Sequence, residues 1–369
     1  MGWWWRKRNK KLILERGAKL LEDLIEFGHG ISNPIKFFSA DEILKATNNF
    51  SLSNRVRELV YYYDWYSGKN ENHPMILIKK DSYFTVDLLS RDIAVSSMVS
   101  GHKNFLKLVG CCLELERPVL VYHGVKKHYR LKISEQTWKR RMKIAEDIAT
   151  ALAYLHTAFP RPFVYRNMYP DSIVLDEDGV AKLNDFSYCV SIPEGETFVK
   201  VDETDGLYRY LDPGGVVVSE KTDVFAFGMF MGLRLLLGER SFWELYHLEE
   251  EEREGRGSDT DYVSWKKIRA QNFLSKLKED RRIEEIADPE MIEKMGHISE
   301  QELCQMKAFR MLSLRCIGPS EEVPTMVEVA KELKKIQTSL QNDSSSPSGE
   351  THFDSAQDIS SSVVVSNQT

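Results

Sequence analysis

Residues 163 to 187 read FVYRNMYPDSIVLDEDGVAKLNDFS, and this stretch sets polar groups at defined intervals between apolar runs. An amide stands at Asn167, a hydroxyl at Ser172 and a carboxylate at Asp185. A carboxylate oxygen is a good ligand for Mg²⁺, whereas a hydroxyl is a weaker ligand than an amide carbonyl. The Asn167 amide is not basic and cannot take up a proton as a carboxylate does. Of these three positions, only Asp185 offers a strong metal ligand, and position 167 offers no proton acceptor.

The spacing resembles that of a protein-kinase catalytic centre, in which H-R-D-x-x-x-x-N is followed by D-F-G. The resemblance implies that Asn167 stands at the position of the catalytic base. It also implies that Ser172 stands where an Asn would hold Mg²⁺, and Tyr169 where the family usually places a Lys. A positioned base is worth roughly 10²–10⁴ in rate, and a nearby cation stabilises the transferred group. We therefore expect a catalytically inactive or severely impaired centre, with Asp185 as the one metal ligand left.

The composition is that of an ordinary globular protein. The chain has 369 residues, of which 42% are hydrophobic and 29% charged, so it could hold two lobes and a sizeable core. The formal net charge is −6, and the basic residues form no long stripe along a helix, so we expect no nucleic-acid partner. Five cysteines without C-x-x-C spacing favour reduced thiols in a cytosolic compartment over disulfides or zinc.

The pattern of predicted elements divides the chain into three parts. Residues 1–49 hold a basic start and an amphipathic helix. A kinase-like domain follows at 50–341, with a β-rich small lobe at about 50–124 and a helical large lobe at about 125–341. The Ser-rich end, 342–369, has few aromatic residues and is predicted to be disordered. The expected fold class is α+β, a bilobal protein-kinase-like fold.

Three segments carry the clearest periodicity. Arg55 to Lys80 is rich in aromatic and β-branched residues and contains a turn-like SGKNEN, which predicts strands. Residues 138–158 repeat apolar side chains at helical spacing, namely Ala145, Ile148, Leu152 and Leu155. The apolar run 224–238 contains Arg234 and is shorter than the roughly 20 residues that a membrane span needs. We interpret it as a buried helix.

The start of the chain combines aromatic and basic residues. Trp3-Trp4-Trp5 is followed at once by Arg6 and Lys7, so no signal peptide is predicted. Residues 3–11 could contact an anionic membrane surface, where each Lys or Arg contributes about 1 kcal/mol, and a frayed, solvated terminus is the alternative. The helix predicted at 12–27 carries apolar residues at helical spacing, namely Ala18, Leu21, and Leu24 or Ile25.

Seven ordered segments resemble the plant receptor-like cytoplasmic kinases related to wall-associated kinases. They are KATNNF (45–50), FLKLVGCCLE (105–114), VLVYHG (119–124), ALAYLHT (151–157), YLDP (210–213), TDVFAFG (222–228) and VPTMVEVAKEL (323–333). Within that group the degenerate centre and the short N-terminal helix are most similar to the immune adaptor pseudokinases that pair with coiled-coil NLR receptors. The resemblance implies a cytoplasmic protein. Peripheral association with the plasma membrane is an alternative. The implied partners are an NLR receptor, other receptor-like cytoplasmic kinases and pathogen effectors.

The resemblance also assigns the nucleotide side of the site. Lys79 would meet the α- and β-phosphates, and the three glycines of the phosphate loop are replaced by Glu58, Val60 and Tyr63. Glycine is used there because the backbone must approach the phosphates closely. The acidic partner of Lys79 falls by count at Ile93, beside Asp92. We expect that no cofactor is required and that ATP and Mg²⁺ bind weakly or not at all. Lys79 could instead be a structural remnant that pairs with Asp185.

The activation segment, 187–211, has lost both ends of the ion pair that anchors it in the family. The Glu of this pair is replaced by Gly214, and the Arg by Val323. Losing both partners can be nearly neutral for stability, whereas losing one would strand a buried charge. We therefore expect a loosely held segment that serves as a docking surface, in which Ser191, Thr197 and Thr204 are exposed hydroxyls.

These features favour a non-catalytic adaptor that bridges an NLR receptor to effector-modified kinases. Two alternatives stay open, a weakly active Ser/Thr protein kinase that uses Asp185, and a scaffold in receptor signalling unrelated to immunity. Asp223 is predicted to be a buried hydrogen-bonding anchor rather than a catalytic group. The segment Tyr61-Tyr62-Tyr63 is predicted to be an aromatic strand packed on the small-lobe sheet, and a partner-facing surface is the alternative.

Overall fold

The chain folds into two lobes, a small one built on a sheet and a large one built on helices. This is the predicted α+β, bilobal arrangement. The computed structural model describes residues 2–28, 35–59, 63–70, 73–80, 85–124, 127–201, 217–240, 275, 277, 281–318 and 322–338, with side chains from residue 10 onward. The predicted tail at 342–369 lies outside the described residues.

The small lobe contains a five-stranded sheet. Its strands are β1 (Lys36–Phe37), β2 (Asp64–Gly68), β3 (Ile76–Lys80), β4 (Leu108–Cys112) and β5 (Val119–His123). They lie in the order β1-β4-β5-β3-β2, and all neighbours are antiparallel except β1 and β4. The prediction of strands from Arg55 to Lys80 is wrong at Arg57–Leu59, which forms a 3₁₀ turn. Arg55 itself forms an antiparallel bridge with Tyr66.

Helices cover both faces of this sheet. Side chains alternate along β3, so its residues pack on different helices on the two faces. Ile78 shares an apolar cluster with Ile43 of α2 (Ala40–Ala46). On the other face, Leu77 shares a cluster with Ile93 of α3 (Val86–Val99) and Leu20 of the N-terminal helix. The buried β3 therefore has a fixed register, which determines where Lys79 points.

The N-terminal helix α1 (Gly2–Gly28) is longer than predicted and packs along α3. Leu20 and Phe27 are buried, whereas Leu21 is 59% and Ile25 68% exposed, and Ala18 is exposed as well. Of the residues predicted at helical spacing, Leu24 packs against the core, so the prediction is wrong for Ala18 and Leu21 and for the alternative Ile25. The helix carries apolar side chains on two faces. The face that packs on the small lobe is the one that also carries the buried polar groups. Arg16 and Asp23 both lie on that face with hydrogen-bond partners across it.

The large lobe is a set of helices around one apolar core. Its helices are α4 (Trp138–Thr157), α5 (Glu220–Phe230, with a π-helical continuation Met231–Leu236), α6 (Ile283–Ile286), α7 (Pro289–Met295), α8 (Glu300–Cys316) and α9 (Met326–Thr338). The predicted helical face of α4 is buried, and so is the predicted helix at 224–238, including Arg234. Among the described helices, none is long and apolar enough to cross a membrane.

Short strands connect this core to the cleft between the lobes. A three-stranded sheet has the order β6 (Tyr129–Arg130), β8 (Ile173–Leu175), β9 (Ala181–Leu183). Two further pairs join β7 (Phe163–Val164) to β10 (Val190–Ser191) and β11 (Val199–Lys200) to β12 (Val217–Val218). The stretch 163–187 therefore runs through β7, β8 and β9, with Asn167 and Ser172 between β7 and β8 and Asp185 just after β9.

We predict that Arg16→Ala loosens α1 from the small lobe. The Arg16 guanidinium donates hydrogen bonds of 2.8 Å to the carbonyl oxygens of Leu113, Leu115 and Glu116. Removing it leaves those carbonyls without this donor, so the free energy of unfolding should fall by about 1.5–3 kcal/mol in chemical denaturation. The control on the same helix is Lys11→Ala. Lys11 is exposed, and its ion pair of 3.5 Å joins its Nζ atom to Oε1 of Glu15, which is exposed as well. An equal loss in both variants would contradict the docking role of Arg16.

Candidate functional site

The site lies where the two lobes meet, around Lys79 of β3. This lysine is fully buried, and its Nζ atom lies 3.2 Å from Oδ2 of Asp92 and 3.7 Å from Oδ1 of Asp185. A buried ammonium group needs such partners, because an unpaired charge in the interior is costly. Lys79 therefore joins β3 to α3 and to the segment that follows β9.

Asp92 is the acidic partner on α3, so the count that placed the partner at Ile93 is wrong. Ile93 is fully buried in the apolar cluster between the sheet and α3. The Oδ1 atom of Asp92 also accepts hydrogen bonds from the N–H of Phe186 at 2.9 Å and from the hydroxyl of Ser96 at 3.1 Å. Burial raises the pKa of Asp92 above its ordinary value, and the charge of Lys79 opposes that shift.

Both carboxylate oxygens of Asp185 are engaged by groups of this chain. Oδ1 accepts a hydrogen bond of 2.6 Å from the Ser187 hydroxyl, and Oδ2 accepts one from the Tyr63 hydroxyl. The Nζ atom of Lys79 lies 4.0 Å from the centre of the Tyr63 ring, which is a cation–π contact. Burial acts to raise the pKa of Asp185, but Lys79 and the hydrogen bonds from Ser187 and Tyr63 outweigh it and lower that pKa. Asp185 is therefore held as a carboxylate.

Asp223, near the start of α5, fixes the main chain beneath the site. Its Oδ2 atom accepts a hydrogen bond of 2.7 Å from Tyr165 N–H, and its Oδ1 atom accepts one of 2.9 Å from Arg166 N–H. The ring Nε2 of His156 lies 2.9 Å from Oδ2. Arg166 has a φ of 61°, which is uncommon for a residue other than glycine, and these hydrogen bonds hold it there. The prediction that Asp223 is a buried anchor is confirmed.

Asn167 and Ser172 brace the main chain. The Asn167 side-chain amide is buried and donates a hydrogen bond of 3.0 Å to the carbonyl oxygen of Asp185. A carboxylate could not donate this bond. The Ser172 hydroxyl donates toward the carbonyl oxygens of Asn167 and Tyr169, at 2.7 and 2.8 Å. The polar atoms at both positions are therefore directed at the backbone of the loop.

Tyr169 and the predicted phosphate loop differ from the kinase arrangement in shape. Tyr169 is 8% exposed and belongs to the apolar core of the large lobe, so it presents no cation to the cleft. Glu58 lies exposed in the 3₁₀ turn Arg57–Leu59. Val60 lies outside the described residues. The interpretation of Tyr63 as part of a strand is wrong, because it directly precedes β2 and its hydroxyl reaches Asp185. Its predicted packing against the small-lobe sheet is confirmed, and Tyr61 and Tyr62 lie outside the described residues.

The described part of the activation segment is tied at both ends. Its start pairs as β10 with β7, and β11 pairs with β12 beyond the undescribed residues 202–216. An apolar cluster of Val164, Ile192 and Val218 lies between these pairs. The expectation of a loosely held segment is therefore wrong for the described residues, because strand pairing replaces the ion pair of the family. Val323 is half-buried against the core, and Gly214 lies outside the described residues.

The three predicted docking hydroxyls occupy different environments. Thr197 is exposed in the loop between β10 and β11. The expectation that Ser191 is exposed is wrong, because its Oγ atom is buried in the β10–β7 pair. Thr204 lies outside the described residues. Only the loop around Thr197 therefore presents a predicted hydroxyl to solvent in the part of the segment that is described.

ATP and Mg²⁺ do not fit these residues in the arrangement that the kinase resemblance implies. A metal ion on Asp185 would have to displace the hydrogen bonds from Tyr63 and Ser187. The Ser172 hydroxyl is committed to main-chain carbonyls. Across the described residues, no group of three or more His, Cys, Asp or Glu side chains could hold a metal ion.

Two contacts of the site were missed by reasoning from the sequence. Ser187, in place of the glycine of D-F-G, binds the carboxylate two residues before it, and a hydroxyl at that position is a local signal that could have been recognised. The contact between Tyr63 and Asp185 joins residues 122 positions apart. No local pattern indicates a contact of that length.

Comparisons with known proteins agree with this geometry. The protein kinase domain model matches residues 74–335. Over the full length of both chains, the protein is 70% identical to a probable inactive receptor-like protein kinase from Arabidopsis thaliana. It is 62% identical to the inactive serine/threonine-protein kinase ZRK12 from the same plant, over 100% of this chain and 90% of that protein. Identity to the Arabidopsis thaliana non-functional pseudokinase ZRK15 is 50%, over 94% of this chain and 99% of that one. The chain therefore belongs to the protein kinase family and is a plant pseudokinase of the ZRK group.

Proposed function

We propose that this pseudokinase is a non-catalytic adaptor in plant immune signalling, which bridges an NLR receptor to effector-modified kinases. The observation that carries the proposal is the internal use of the catalytic positions. Asn167 and Ser172 hold the main chain, and Asp185 holds Tyr63. A kinase fold whose reactive groups are committed in this way offers a defined shape and surface. Recognition of partners is the use that such a surface retains.

The loop between β10 and β11 is the part of the activation segment that we propose as the docking site. Phe198 is 41% exposed, and the side chains of Glu194, Glu196 and Thr197 around it are exposed. An aromatic side chain with a polar surround is typical of an interface centre. The loop is held at its base by two strand pairs. A rigid base reduces the ordering cost of binding.

The role that we propose requires no nucleotide and no nucleic acid. It places the protein in the cytoplasm, where the implied partners act. Contact of residues 3–11 with an anionic membrane is compatible with it. The exposed lysines at positions 10 and 11 are the described part of that basic start, and they could add to attraction by an anionic surface.

A weakly active kinase is the second candidate function. Its specific support is the buried contact of Lys79 with Asp92 and Asp185, which retains the ion pairs of a kinase cleft. A scaffold in receptor signalling unrelated to immunity is the remaining alternative. It differs from the adaptor only in the identity of its partners.

We predict no phosphoryl transfer above that of an Asp185→Ala control. The Asn167 amide cannot accept the proton of a substrate hydroxyl, and Tyr169 supplies no cation. The measurement is autophosphorylation and transfer to a generic protein substrate, with Mg²⁺ and separately with Mn²⁺. Metal-dependent transfer that disappears in the Asp185→Ala protein would establish the weakly active kinase in place of the adaptor.

We predict that Phe198→Ala weakens partner binding at least about tenfold, as truncation of an interface anchor does, without changing the unfolding midpoint. The matched control is Met311→Ala, which removes another exposed apolar side chain (58%) from α8. The measurement is recovery of an NLR receptor and receptor-like cytoplasmic kinases from plant cytosol. Hydrogen exchange in residues 187–201 should slow in the recovered complex.

Three results would count against the proposal in different ways. Recovery of signalling receptors without any NLR would support the non-immune scaffold. Equal recovery by both variants, with exchange unchanged in residues 187–201, would move the docking site elsewhere on the domain. Failure to recover any partner with the unsubstituted protein would contradict the adaptor role itself.

A further inference from the structure

We infer that Tyr63 is an internal ligand, which occupies the phosphate and metal position of the cleft and excludes nucleotide from it. The contact also joins the lobes. Tyr63 directly precedes β2 of the small lobe, whereas Asp185 follows β9 on the large-lobe side. In a nucleotide-binding kinase the metal and phosphates lie between these elements. Here a side chain of the protein takes that place.

One phenol satisfies both charged groups that would hold the nucleotide. The ring face lies 4.0 Å from the Lys79 ammonium, and the ring carries negative charge density on that face. The hydroxyl donates to Oδ2 of Asp185. Lys79 thus receives a partner that substitutes for phosphate, and Asp185 receives a donor that substitutes for a metal ion.

The charges around the phenol oppose entry of a phosphate. Two carboxylates, Asp92 and Asp185, surround the single ammonium of Lys79, and all three groups are buried. A phosphate placed there would meet both carboxylates unless a metal ion accompanied it. That metal would need the oxygen of Asp185 that Tyr63 already engages. Nucleotide binding therefore requires displacement of the phenol.

One cavity among the described residues does not include the contact of Tyr63 with Asp185 in its lining. A pocket of about 620 Å³ opens on the side of the segment that connects the lobes, and Val56, Leu77, Gly124 and His128 are among its lining residues. Lys79 and Asp185 are not part of its lining. A ring-shaped group could enter that pocket.

It follows that closure of the lobes does not depend on nucleotide. A partner would meet the same closed shape whether or not the cell is rich in ATP. This inference concerns the cleft alone and does not rest on the adaptor role. Loss of partner binding and gain of nucleotide binding are separate measurements, so either proposal can fail without the other.

The test is titration of the full-length chain with Mg²⁺ and ADP, in which calorimetry and thermal shift measure the binding affinity. Three variants are compared with the unsubstituted protein. Tyr63→Ala opens the site, and Tyr63→Phe keeps the ring over Lys79 but removes the hydroxyl. Tyr66→Phe is the matched control, because Tyr66 lies on β2 and packs against Phe50 at 5.0 Å, with no contact to Asp185. Circular dichroism and the unfolding midpoint verify that each variant is folded.

We expect the unsubstituted protein and Tyr66→Phe to bind Mg²⁺-ADP no more tightly than about 1 mM. Tyr63→Ala should bind about 10- to 100-fold more tightly, because displacing a charge-assisted hydrogen bond has a cost of that size. Tyr63→Phe should lie between them. Tight binding by the unsubstituted protein would overturn the inference, and so would a folded Tyr63→Ala protein with unchanged affinity. If Tyr63→Ala does not fold, Tyr63→Phe decides, since a gain supports the inference and an unchanged affinity overturns it.

Discussion

Lys79, Asp92 and Asp185 form a buried charge cluster, and the other contacts of the cleft follow from it. One ammonium faces two carboxylates away from water, so the excess negative charge must be spread over hydrogen-bond donors. The donors come from separate elements, namely Phe186 N–H, Ser96, Ser187 and Tyr63. Strand β3, helix α3 and the segment after β9 are held together by this requirement. The site is a structural joint of the two lobes.

Catalytic chemistry and structural support are separable in this fold. Asp223 still anchors the backbone of Tyr165 and Arg166 from below, which keeps the geometry of the loop. The residues that would act on a substrate have become braces within the same geometry, as the amide of Asn167 illustrates by donating to the carbonyl of Asp185. The fold can therefore lose catalysis and keep a shape suited to recognition, because different side chains provide structural support and catalytic chemistry.

The sequence predicts the fold and the positions of the catalytic centre because both depend on local spacing. It fails where a choice depends on long-range contacts. The partner of Lys79 is one residue from the predicted one, and a shift of one position rotates a side chain by about 100° around a helix axis. The inner face of α1 was misassigned because Leu20 and Leu21 both carry apolar side chains, and only the contacts of Arg16 distinguish them. The contact of Tyr63 with Asp185 has no local signal at all.

A crystal structure grown with saturating Mg²⁺ and ADP would locate the atoms around Asp185 and so decide whether Tyr63 excludes nucleotide from the cleft. We expect the Tyr63 oxygen on the Asp185 carboxylate, the Tyr63 ring against Lys79, and no metal ion or phosphate between the lobes. A magnesium ion bound to Asp185, with phosphates at Lys79 and the phenol turned out of the cleft, would contradict this expectation.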